Sequence, residues 1–369
     1  MTNKEGSPYG RSDRDRQLGR FMGQGGRRAF ADLSEHPPVP VIEVAHSLPA
    51  DGIIILGKNF SVAAPLGHTK GAVGERIVRR SRETGEWDDV DILDEETSGN
   101  TGSGLGFIAS LYKRLSVRAY VSKAAVREEP LKMKLMQFYG VQIVATDKPD
   151  ERAKEEGKKP RHRNPDQYSN PYNIELHEEV TGRQLDEQTK DLGGLTIFSA
   201  ALGSTATGIG TLLHFDEKYP MHPAIPAQKD PVSIPAEPAR SRVFGVGSSV
   251  KVGEVVSGAR TDERLKKIGF AHWEDRYVEP HGSRQRISAK EARKAAIALS
   301  RDGFPTGKTG GLAYVGLMKE LESRIKAKTI DKLRNAKGLV VAAFIAPDGP
   351  SSSVSDPAFE EEYLPIIYE

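Results

Sequence analysis

From Val39 onward, short runs of β-forming apolar residues alternate with segments of helical composition, and this alternation constrains the fold more than any other feature of the sequence. GIIILGKNF gives way to TKGAVGERIVRRSRE and VRAYVS to LKMKLMQFYG; VQIVAT, LTIFSAALG and RVFGVG follow. Strand runs separated by helical segments predict an α/β protein with mainly parallel strands. Ligands of such sheets sit where strands end and Gly-rich turns lead into helices, so those turns are where function is to be sought. With 369 residues the chain is long enough for two lobes. It shows no internal repeat and no heptad run.

Charge and composition narrow the class. A net charge of +2, with 28% charged residues mixed along the chain, gives no electrostatic basis for a nucleic acid or an acidic membrane as partner. The absence of cysteine excludes disulfides, thiolate nucleophiles and thiolate-ligated metals, so any catalysis must use oxygen, nitrogen or a cofactor. The nine histidines are scattered and predict no metal site. The opening MTNKEGSPYGRSDRDRQ lacks a signal-peptide core and no apolar run reaches membrane-spanning length, which reads as a cytoplasmic protein. Residues 1–36, rich in Gly, Arg, Asp and Ser, read as a flexible N-terminal tail, and the proline-heavy 218–241 segment as an irregular excursion.

Four Gly-rich turns could cradle an anion, although each taken alone is also explained as punctuation between elements. GFPTGKTGG (303–311) ends like a phosphate-binding P-loop, but only three residues separate Gly303 from Gly307-Lys308 where a P-loop has four. The helical SAKEARKAAIALSRD precedes it where a P-loop needs a strand, so nucleotide hydrolysis is not supported. TSGNTG (97–102) opens the helix-like GSGLGFIASLYKRL, and a helix N-terminus crowded with hydroxyls is suited to a phosphate or carboxylate. LGSTATGIG (202–210) follows a strand and also enters a helix; FGVGSS (244–249) ends one.

In order and together, these turns resemble the fold-type II pyridoxal-phosphate enzymes, most closely the cysteine synthase and cystathionine β-synthase family, over about 39–349. Pro65-Leu66-Gly67-His68-Thr69-Lys70 takes the place of the family's Pro-x-Gly-Ser-x-Lys segment. TSGNTG matches the substrate-carboxylate loop nearly letter for letter. NPDQYSNPYNIELHEEVTGRQLDEQT is similar to the segment that carries the family's active-site glutamine, here Gln167. LGSTATGIG is similar to the phosphate cup, FGVGSS to a later glycine loop, and GFPTGKTGG falls where the family turns a hydroxyl toward the pyridine nitrogen.

The resemblance implies a two-lobed tryptophan synthase β-like architecture of mainly parallel twisted sheets flanked by helices, with pyridoxal 5'-phosphate between the lobes. The expected lobes are 50–190, with a mobile subdomain about 97–150, and 37–49 together with 191–369. Lys70 is implied as the cofactor lysine and acid–base, with Asn100, Gly203, Ser204, Thr205, Thr207, Gly245 and Thr309 also at the cofactor. Thr97, Ser98, Gly99, Thr101 and Gln167 are implied at the substrate carboxylate. A neutral Thr309 hydroxyl does not hold a proton on the pyridine nitrogen as an Asp would, which favours loss of a β-substituent over transamination. The implied activity is β-replacement on a β-substituted serine (O-acetylserine, O-phosphoserine or serine) through an aminoacrylate, adding sulfide, a thiol or an amine, by a cytoplasmic homodimer. β-Elimination and a non-catalytic protein of the same fold are the alternatives.

Three departures qualify it. Gly71-Ala72 follows the lysine where the family has Asp or Glu and then Arg, Glu128-Glu129 stands near the expected entry of the nucleophile, and Ala201-Leu202 removes a hydroxyl from the cup.

Overall fold

The computed structural model describes residues 7–201, 203–218, 232–238 and 285–351. Contacts divide the chain into two units, residues 1–39 with 63–166 and residues 40–62 with 167–369. In chain order the helices are α1 (Asp13–Gln17), α2 (Gly23–Ala31), α3 (Lys70–Glu83), α4 (Asn100–Ala109), α5 (Lys123–Glu128), α6 (Pro130–Phe138) and α7 (Pro149–Glu156) in the first unit. The second has α8 (Pro171–Leu176), α9 (Arg183–Thr189), α10 (Ala206–Lys218), α11 (Ala289–Arg301) and α12 (Lys308–Lys326).

The first unit carries a four-stranded parallel sheet in the order β5-β4-β3-β6, from β3 (Ile92–Glu96), β4 (Ser116–Ser122), β5 (Gln142–Thr146) and β6 (His162–Arg163). The second carries a six-stranded sheet, β1-β2-β10-β7-β8-β9, built from β1 (Val41–Glu43), β2 (Ile53–Asn59), β7 (Ile197–Ala201), β8 (Val232–Pro238), β9 (Gln285–Ile287) and β10 (Val340–Ala346). All its pairs are parallel except β1 with β2. Parallel strands covered on both faces need continuous apolar runs, and β10 is buried at every position. The expected α/β class with two helix-flanked, mainly parallel sheets is the observed one.

The division of the chain differs from the expected lobes of 50–190 and 37–49 with 191–369. β2 pairs in parallel with β10 from Ile53↔Val340 to Asn59↔Ala346, so its hydrogen bonds place it in the second unit. Residues 7–36 also differ from the expected flexible tail. They form α1 and α2, with Ala29, Ala31 and Leu33 fully buried. Their polar composition hid this because the charges are paired inside: the buried Arg11 guanidinium donates to the Glu35 carbonyl at 2.7 Å and to its carboxylate at 3.2 Å.

The core of the second unit packs one face of its sheet, with Ile55, Ile197 and Phe344, against Leu317 and Leu321 of α12. Phe304, from the turn between α11 and α12, joins it against Phe344 with ring centroids 5.1 Å apart. A helix precedes this turn, as the sequence indicated.

Candidate active site

In the first unit, Lys70 is the first residue of α3 and half-buried. The chain reaches it through a tight turn in which Leu66 and Gly67 both have left-handed backbone, φ 70° and 68°. His68 accepts from the Lys70 backbone N–H through Nδ1 at 3.3 Å. Burial, and then the positive charges of Lys70 and Lys132, push this imidazole down to about 4.

α4 lies directly against the lysine. A Cβ on Gly104 would stand 2.7 Å from the Lys70 carbonyl carbon and 2.9 Å from the Gly71 nitrogen, so only glycine allows this approach. Gly71 and Ala72 are fully buried on the same helix. At Gly71 of α3 a Cβ would meet nothing nearer than 3.7 Å, so a small side chain is not excluded there; charged side chains at 71 and 72, as in the family pattern, would have to be buried.

The loop from Thr97 follows β3 and leads into α4. Thr97 is buried, and its hydroxyl oxygen accepts from the backbone N–H of Gly99 at 2.9 Å and Gly102 at 3.2 Å. Gly99 has φ 146°, and a Cβ there would meet the Lys132 side chain at 2.5–2.6 Å. Lys132 is itself buried and paired with Glu129 at 3.1 Å. Ser98 is exposed, Asn100 half-buried and Thr101 buried, so the first turn of α4 presents polar groups at graded depth.

In the second unit, Gly203, Ser204 and Thr205 join the end of β7 to α10. Thr205 has φ 61°, an uncommon backbone for a β-branched residue. Asn173 donates through Nδ2 to the Gln167 carbonyl at 2.8 Å and to Ser204 Oγ at 3.3 Å. Ser204 Oγ is thus an acceptor toward Asn173, and its own proton remains available to an anion. Thr207, in the first turn of α10, meets His177 Nε2 at 3.2 Å, and His177 Nδ1 meets Thr181 at 2.8 Å. A cup of two hydroxyls and the free N–H groups of a helix N-terminus fits a phosphate without a basic side chain.

Thr309 lies half-buried in the first turn of α12. Its turn is tied to the carboxyl edge of the sheet: Asn59 Nδ2 and Ser61 Oγ each donate to the Pro305 carbonyl at 3.0 Å, and the Gly307 N–H donates to the Asp348 carbonyl at 2.9 Å. Leu312, one turn farther along α12, shares an apolar cluster with Ala201 at the end of β7. Gln167 is buried, with its carbonyl held by Asn173. Gly245 lies outside the described residues, as do Leu202 and most of 218–241.

The structure therefore brings Lys70 together with Thr97, Gly99, Asn100 and Thr101 in one unit, and Gln167 with Ser204, Thr205 and Thr207 in the other. Sequence reasoning missed Asn173 and His177, which orient the cup from an adjoining segment. Lys308, next to Thr309, has a buried side chain. Lys58 is another buried amine, donating to Gln184 at 3.0 Å and Gln188 at 2.9 Å, and burial pushes it down to about 7.

Residues 58–330 match the family model for pyridoxal-phosphate dependent enzymes. The chain belongs to this family, in its fold-type II class, and pyridoxal 5'-phosphate is its cofactor. Within the class its kinship is with the cysteine synthase and cystathionine β-synthase group, at a distance. It is 29% identical to the cysteine synthase of Staphylococcus aureus over 260 residues, 66% of this chain and 80% of that one. It is 26% identical to cysteine synthase B of Escherichia coli over 265 residues, 69% and 76% of the two chains. The crystal structure of cysteine synthase from Entamoeba histolytica, 19% identical, shares its fold with a TM-score of 0.65 over 100% of this chain and 96% of that one. No helix among the described residues is long and apolar enough to cross a membrane.

Proposed function

We propose that the protein catalyses β-replacement on a β-substituted serine, adding sulfide, a thiol or an amine. The observation that supports it most is Lys70 at the head of α3, locked by Gly104 against the helix whose first turn carries the hydroxyl-rich loop. When bound, pyridoxal 5'-phosphate supplies a ring that withdraws electrons from the substrate α-carbon. Lys70 would hold the cofactor, and its amine would move the substrate's α-proton. Thr97, Ser98, Gly99 and Thr101 bind the substrate carboxylate through N–H and hydroxyl groups with help from Gln167, and Asn100 donates to the cofactor's phenolic oxygen. Gly203, Ser204, Thr205 and Thr207 hold the phosphate, and the Thr309 hydroxyl meets the pyridine nitrogen without fixing a proton there. On the same reading the enzyme is a cytoplasmic homodimer.

The test crosses O-acetylserine, O-phosphoserine and serine with sulfide, thiols and amines on the cofactor-loaded protein, with products read by mass spectrometry. A β-substituted alanine from at least one pair is the expected result. Pyruvate alone, with or without nucleophile, would replace this reading by β-elimination.

A further inference from the structure

We infer that His68 is a positioning residue: a neutral imidazole, protonated at Nε2, that ties the Lys70 backbone to the first turn of α4 and so fixes the lysine relative to the Thr97–Thr101 loop. The inference rests on Lys70 being the cofactor lysine and adds a residue that the family pattern, with Ser at this place, does not supply.

Hydrogen-bond directions carry it. The backbone nitrogen of Lys70 can only donate, so Nδ1, 3.3 Å away, must accept. In a neutral ring the proton then sits on Nε2, which lies 3.4 Å from Ser103 Oγ. Ser103 passes its own proton to the Asn100 carbonyl at 3.0 Å. The chain runs Lys70 N–H to His68, His68 Nε2–H to Ser103, and Ser103 O–H to Asn100, with every donor facing an acceptor. The other tautomer, or an imidazolium, would set an N–H against the Lys70 N–H. His68 and Ser103 are both buried, so water does not offer an alternative partner.

A serine at 68 could accept the Lys70 N–H in the same local turn. Its hydroxyl would end there, because it lacks the ring that spans to Ser103. The imidazole thus adds a second link, from the lysine turn to the residue, Asn100, that opens α4. The two elements already touch through Gly104, and the relay fixes their register at the polar end of that contact.

The test has one arm that needs no activity. Nitrogen-15 NMR of the side chain of His68 in the full chain, prepared without cofactor, should show the Nε2–H tautomer at pH 7. An Nδ1–H tautomer or an imidazolium would overturn the inference whatever the enzyme catalyses. The second arm titrates pyridoxal 5'-phosphate into the wild type, H68N and H68A, and then L-serine into the loaded proteins, following visible absorbance. Asn keeps an acceptor for the Lys70 N–H but cannot reach Ser103. H68N should therefore bind cofactor within about 3-fold of wild type but L-serine about 3- to 10-fold more weakly, the range for one hydrogen bond. H68A should lose about 3- to 10-fold in both. Equal losses of cofactor binding in H68N and H68A, or L-serine binding unchanged in H68N, would reduce His68 to packing and defeat the proposal.

Discussion

The two units meet similar chemical demands by different means. Each ends a strand in a hydroxyl-rich turn that runs into the first turn of a helix, Thr97–Thr101 into α4 and Gly203–Thr207 into α10. In the first, glycine stands where the backbone is unusual, at Gly99, and the Lys132 stem closes over it. In the second, a threonine takes the left-handed position at 205, and the turn is braced by Asn173 and His177. On the proposed function, the first must hold an amine in register with a carboxylate site. A phosphate cup needs only main-chain N–H groups and hydroxyls, and tolerates local strain to present them.

What lies beneath the turns differs too. The second unit's edge rests on an apolar core around Phe344, whereas α3 in the first rests on buried charge. Glu75 accepts from Tyr112 OH at 2.9 Å and from Arg79 Nε at 3.3 Å; Arg79 also reaches Asp32 at 3.4 Å, and Tyr9 donates to Asp32 at 3.1 Å. Burial, and then the Asp32 charge, push Glu75 up to about 7. Burial raises Asp32 as well, but Arg76, Ser34 and Arg79 together hold it below its usual value.

The largest effect separating the units should come from Lys70→Ala, with turnover lower by about 10²- to 10⁴-fold, the range for a lost acid–base group, measured against Lys58→Met as a control in the other unit. Gly99→Val comes next. Its Cβ would overlap Lys132 in a backbone that L-residues rarely adopt, so unfolding in urea should show a loss of about 1–3 kcal/mol. Full stability in that variant would break the contrast with the other turn.

Glu75→Gln should act through pH. The folded pKa, about 7, lies above the ordinary 4.5, so the native state keeps a proton that the unfolded chain has released. Stability from this group is therefore complete below about pH 4.5 and is lost as pH rises to about 7. Asp32 works in the opposite sense and only at lower pH. Melting temperature should fall less between pH 5 and 7 in Glu75→Gln than in the wild type; parallel profiles would remove Glu75 from the account.

The smallest effect should be that of Thr205→Gly. Relief of a left-handed threonine, about 1–2 kcal/mol, is offset by the entropy glycine adds to the unfolded chain, about 0.5–1 kcal/mol. Denaturant midpoints at or slightly above wild type, with weaker cofactor binding, are expected. A clear loss of stability would mean that the turn is not strained.

Much of this was legible because it is local in sequence. TSGNTG carries its loop, cap and helix start within six residues, and β2, β4, β5 and β7 announce themselves as apolar runs. β3 does not: DDVDILDEE reads as an acidic surface stretch, yet Asp94 is buried, receiving Tyr120 OH at 3.1 Å and His162 Nδ1 at 2.6 Å. Residues 7–36 were illegible for the same reason, since Arg11 and Asp32 find their partners only in the folded chain. Asn173 and His177 are single polar residues whose role depends on α10 lying beside them. The need for glycine at 104 was equally invisible, because it depends on α4 coming against the backbone of Lys70 and Gly71.

The central claim is that Lys70 alone carries the cofactor. Reducing the loaded protein with borohydride fixes the pyridoxyl group to its lysine, and peptide mass mapping then reads its position. The account predicts the added mass on the peptide containing Lys70. Finding it on Lys58 or Lys308, the two buried lysines among the described residues of the other unit, would contradict the account directly.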